Sequence, residues 1–96
     1  MDGDHPGQYR GFILACAEFE ADLAQKCLHQ RFKYADYQSS EGLLGALRSR
    51  FESIIQTDPF ERPLKRRACA ELRLCEALFA SYLERVFDVF DGSTYH

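Results

Sequence analysis

The sequence predicts an all-α domain, a three-helix antiparallel bundle with long first and third helices, dimerising through the third. Three observations predict it. Apolar residues recur at spacings of three and four, the helical period, along almost the whole chain. Only two clusters of turn-forming residues interrupt that pattern, at 38–42 and 57–61, so consecutive helices are joined by short loops and pack antiparallel. The 96 residues are 46% hydrophobic with eight Phe and five Tyr, enough to build one packed core rather than a disordered chain.

Residues 1–7 read as a loose tail punctuated by Pro6 and Gly7. A first amphipathic helix follows over about 9–31, extending toward Tyr37. Tyr9, Phe12, Ile13, Cys16, Phe19 and Leu23 share its apolar face, and Glu18, Asp22, Gln25, Lys26 and His29 fall opposite. Tyr34 and Tyr37 return to the apolar side, which favours the longer version over a short extended piece at 32–34. Ser39 or Ser40 then caps a second helix over about 41–56, with Glu41 at its positive end and Leu44, Leu47, Phe51 and Ile54 on its buried face.

Asp58 as cap, Pro59 at the first helical position and Glu61 give a start signal for the third helix. Pro63 leaves a second start open, after one tight turn. From Leu64 nothing breaks the helix before Gly92, a C-cap signal, and 92–96 form a C-terminal tail. The whole chain, 1–96, reads as a single domain without internal repeats.

The third helix changes character halfway. Leu64, Ala68, Leu72 and Cys75 form a stripe about 80° wide. Beyond it Leu78, Phe79, Tyr82, Leu83, Val86, Phe87, Val89 and Phe90 span about 180°. Two neighbouring helices cover about half of such an arc, and each large apolar side chain left in water forgoes on the order of 1.5–3 kcal/mol. Leu78, Phe79, Tyr82, Leu83, Val86, Phe87 and Phe90 are therefore the expected surface for a second copy or another protein, the alternative being that helices 1 and 2 wrap this end completely.

Arg62, Lys65, Arg66 and Arg67 make the densest basic run, at a helix N-terminus where positive charge opposes the helix dipole. That placement suggests an anionic partner, a nucleic acid or an acidic protein surface, against the commoner reading of a solvated charged face. The net charge of −3 excludes a protein whose whole surface tracks nucleic acid, and neither aromatic interleaving nor a helix-turn-helix pattern accompanies the run.

No motif carries catalytic, metal or cofactor chemistry. Cys69 and Cys75 lie about 240° apart on a helix, and Cys27 and His29 point to different sides, so neither pair clamps a metal. His5 and His96 are in the tails. Glu20 is the lone carboxylate on the apolar side of helix 1, which calls for a cationic partner such as Arg31 or an arginine of helix 2 or 3. Four cysteines within helical patterns read as reduced small apolar residues. With no apolar run near 18 residues and an acidic, polar N-terminus unlike a secretory signal, the expected address is the cytoplasm, away from membranes.

The expected function is binding without catalysis: a homodimeric regulator that masks another protein, antiactivator-like or chaperone-like. A small nucleic-acid-binding regulator using 62–67 and a structural dimerisation module are the alternatives.

Overall fold

A computed structural model describes residues 5–60 and 62–94, with side chains placed for 7–60 and 62–88. It consists of three α-helices, α1 (His5–Leu28), α2 (Tyr34–Thr57) and α3 (Pro63–Thr94). The all-α class is as the periodicity predicts; the helix boundaries are not.

The first break falls at 29–33 rather than 38–42. Gln30 adopts a left-handed backbone, φ 54°, and two hydrogen bonds close the helix around it. Arg31 N–H donates to the Lys26 carbonyl (2.7 Å) and Gln30 N–H to that of Cys27 (3.2 Å). This is a Schellman ending with Gln where glycine is usual, so the composition gave no warning of it. The extension toward Tyr37 and the cap at Ser39 or Ser40 are both overturned. Lys33, extended at φ −81° and ψ 158°, begins α2 without a side-chain cap, and Ser39, Ser40 and Gly42 lie within the helix.

The ends differ as well. Residues 5–7 of the expected tail are helical, since a proline in the first turn sacrifices no internal hydrogen bond. Residues 1–4 lie outside the described residues. Helix α3 continues through Gly92 to Thr94, so that glycine does not end it. Of the two starts left open, α3 takes Pro63, after a turn built on Asp58.

Contacts fix the arrangement. Phe12 meets Phe51 (ring centroids 5.3 Å apart) while Lys26 meets Ser40, so α1 and α2 pair in opposite order. Tyr37 stacks on Phe79 while Arg48 reaches Glu76, again in opposite order. Between α1 and α3 the order is the same: Cys75 meets Cys16, and Tyr82 meets Arg31. The three helices interlock along a rod of 59 × 20 × 19 Å. Its axis is filled by Tyr9, Phe12, Cys16 and Phe19 of α1, Leu44 and Ile54 of α2, and Ala68, Cys75, Phe79 and Tyr82 of α3.

Polar side chains pin this core at both ends. At one end the Lys26 ammonium donates to Ser40 Oγ (2.5 Å) and the Asp36 carbonyl (3.2 Å), and pairs with Asp22 at 3.1 Å. Ser40 is fully buried, so a serine that reads as a cap instead clamps α2 to α1. At the other end the buried Asp58 accepts from Tyr9 Oη (2.8 Å) and Arg62 Nε (2.9 Å) and, more weakly, from Phe60 N–H (3.4 Å).

Candidate interaction surface

Two sides of the bundle stay open: a depression between α1 and α2 lined by Ala15, Phe19, Leu43, Ala46 and Leu47, and the longer outer side of α1 and α3, away from α2. Leu14, Ala17, Ala21, Ala24 and Leu28 recur on α1 at spacings of three and four, and all are exposed. Leu14 is 62% and Leu28 73% accessible. Leu74 and Leu78 of α3 are 45% and 38% accessible. A shallow groove runs between the two helices. Toward the N-terminal end of α1 it is lined by Leu14 and Ala17 with Leu64. Toward the C-terminal end Ala21, Ala24 and Cys27 face Leu78 and Ser81.

Helix α1 is thus apolar on the sides facing α2 and α3 and again on its outer side. A helix apolar nearly all round is usually buried on all sides. Here the outer side remains open, and the alanines leave room for a close helix–helix approach.

The expected surface on α3 is largely spent inside the protomer. Phe79, Tyr82 and Val86 are buried, and Leu83 is half-buried against the core. Tyr82 Oη donates to the Arg31 carbonyl at 2.6 Å, and burial, ahead of the nearby Asp36 charge, pushes the phenol up to about 12. Phe32 of the α1–α2 connection packs on the Tyr82 ring, with Arg85 above it. That connection, which the periodicity hid, covers the Tyr82 part of the wide apolar arc, and Tyr37 of α2 covers Phe79. Leu78 and Phe87 are exposed, while the side chain of Phe90 lies outside the described residues.

The basic run is divided too. Arg62 holds the Asp58 carboxylate, and the Lys65 ammonium donates to the Asp58 and Phe60 carbonyls at 3.1 and 3.4 Å. Positive charge at this helix start has a structural cause after all: it neutralises a buried carboxylate and satisfies turn carbonyls. Arg66 and Arg67 are exposed, Arg67 beside Arg10 at one end of the α1/α3 groove.

Glu20 lacks the expected arginine. Its carboxyl is pushed up by partial burial, then by the charge of Glu71 across on α3 and a hydrogen bond with it. The Cys75 thiol lies 3.9 Å from Glu20 Oε2 and 3.5 Å from the Cys16 carbonyl. Burial also raises both thiols, Cys16 and Cys75, so they stay protonated and act as small apolar residues with weak donors. All four cysteines are unpaired. Among the described residues no group of His, Cys, Asp and Glu could hold a metal ion, and no helix is long and apolar enough to cross a membrane.

Fold and surface together define a class: a small helical module with a built core and an apolar outer side left open between its first and third helices. Within that class the family is shown. Residues 4–93 match the family described as "Protein ChrB, N-terminal", and the chain belongs to it. No curated protein and no solved structure matches it.

Proposed function

We propose that the chain is a non-enzymatic regulatory module of the cytoplasm that works by binding another protein on the open α1/α3 side. The carrying observation is that groove, walled by the accessible Leu14 and Leu78, with the exposed Leu28 and Leu74 on the same outer side of the two helices. Soluble monomers seldom leave such a continuous apolar strip open. The family, associated with regulation of chromate resistance, supplies the regulatory context. Occupying the groove would mask the apolar face of the bound protein, which is how a module without catalytic groups can regulate.

Self-association through the second half of α3 has less support, because Phe79, Tyr82 and Val86 are used within the protomer. A nucleic-acid contact through 62–67 rests on Arg66 and Arg67, since Arg62 and Lys65 serve the Asp58 turn.

The test is a deletion strain complemented with wild type or with Leu14→Asp/Leu78→Asp, comparing transcripts with and without chromate. Wild type restores the regulated profile; the double variant, with an unchanged helical circular dichroism signal, does not. Full regulation by the double variant would sink the reading.

A further inference from the structure

The open groove has a charge order of its own. Arg10 and Arg67 stand beside Leu14 at one end, and Arg85 stands beside Leu78 at the other. Glu20 lies between these ends, with Glu71 as its neighbour from α3. Neither carboxylate has a cation, the ion pairs among the described residues being Lys26–Asp22, Arg48–Glu76 and Arg62–Asp58. Two half-buried carboxyls held together repel when both are ionised, and a cation placed between them removes that cost.

This order selects the occupant. A second copy laid antiparallel along the groove would set Arg10 and Arg67 against Arg85, and one Glu20–Glu71 pair against the other. Laid parallel, it would meet its own charges level by level. Both arrangements juxtapose like charges, which disfavours the wrong partner.

We propose that the groove takes an amphipathic helix of a different protein. Its apolar face carries one Lys or Arg at mid-length, entering between Glu20 and Glu71, and acidic residues at both ends, facing Arg10 with Arg67 and Arg85. The inference rests on the docking role proposed above and adds the chemistry of the partner. Leu14 to Leu28 measures about 21 Å along α1 at 1.5 Å per residue, the span of a four-turn partner helix.

The probes are fluorescein-labelled synthetic helical peptides of about 18 residues, long enough for that span. They carry Leu at three–four spacing, Glu at both ends and Lys, norleucine or Glu at the centre. Their anisotropy is read against the full chain. The Lys peptide binds, and the central-Glu peptide binds at least about tenfold more weakly. Glu20→Gln/Glu71→Gln binds the Lys and norleucine peptides alike, and Leu78→Asp binds neither. Circular dichroism checks that each variant is folded.

Several outcomes overturn the proposal: no binding of the Lys peptide, equal affinity for central Lys and central Glu, or a Lys preference that survives the double Gln variant. Self-association that Leu78→Asp abolishes, without peptide binding, would give the groove to a second copy. The docking role itself is judged separately. If Leu14→Asp/Leu78→Asp abolishes regulation while the peptides show no central preference, docking stands and the partner chemistry falls.

Discussion

Gln30 and Asp58 show how much of this fold hangs on single residues at its two turns. Gln30 holds φ 54°, a region that costs a residue with a Cβ about 1–2 kcal/mol, whereas glycine adds about 0.5–1 kcal/mol of chain entropy. Gln30→Gly is therefore expected to stabilise by about 0.5 kcal/mol, and Gln30→Val to destabilise, both checked by thermal melts. At Asp58 burial pushes the carboxyl up, but hydrogen bonds from Tyr9, Arg62 and Phe60 N–H and the Arg62 charge outweigh it, so the group sits below its usual range. The folded protein then takes up this proton less readily than the unfolded chain. The contribution is complete above the unfolded value of about 3.9 and is lost as pH falls through the lower folded value. Urea midpoints measured below about pH 4 should drop steeply for wild type and less for Asp58→Asn, which starts from a lower midpoint at neutral pH. Glu20 has the opposite sign. Its folded carboxyl holds the proton more tightly, so its contribution is complete below the unfolded value of about 4.3 and is lost as pH rises through the folded one. Glu20→Gln should raise the urea midpoint at neutral pH.

At the scale of the helices, local signals and tertiary contacts disagree most in α2. Ser39, Ser40 and Gly42 resemble a break, yet the helix runs through them from Tyr34. The start at Tyr34 lets Tyr37 stack on Phe79 and Ser40 receive the Lys26 ammonium, contacts between residues distant in sequence. Neither Gly42 nor Gly45 has a neighbour within 4 Å of an added Cβ. Each of Gly42→Ala and Gly45→Ala should therefore stabilise by about 0.8–1 kcal/mol, the helix-propensity difference, read from urea unfolding. In α1 the outer stripe of Leu14, Ala17, Ala21, Ala24 and Leu28 was legible as spacing. Its exposure was not readable there, because a helical wheel shows which residues are apolar, not which neighbour covers them.

For the molecule as a whole, the division between core and open surface runs between adjacent residues of α3. Leu78 is 38% accessible on the groove and Phe79 7% accessible in the core. Phe79→Ala should cost about 3–5 kcal/mol in urea unfolding, as a large buried side chain is removed. Leu78→Asp should cost less, about 1–2 kcal/mol for its partly buried side chain, and leave the protein folded while removing the docking function. A loss as large as that of Phe79→Ala on Leu78→Asp would show that the groove belongs to the core.

The all-α class, the three helices and the core residues of α1, α2 and the first half of α3 were readable from the sequence, because a period of three and four survives in any compact arrangement of helices; Phe79, Tyr82 and Val86 were not, reading as a partner surface. The sequence also placed Asp58 at the second turn. The place of the first turn came from the packing, since a Schellman ending needs a left-handed residue rather than a glycine. The packing also decided which apolar faces are spent. In the third helix Tyr82 is covered by the α1–α2 connection and Phe79 by Tyr37 of α2, while α1 retains an exposed stripe of Leu14, Ala17, Ala21, Ala24 and Leu28. The physical reason is common to both: hydrophobicity is a property of a residue, while burial belongs to a set of neighbours fixed by the packing of all three helices together.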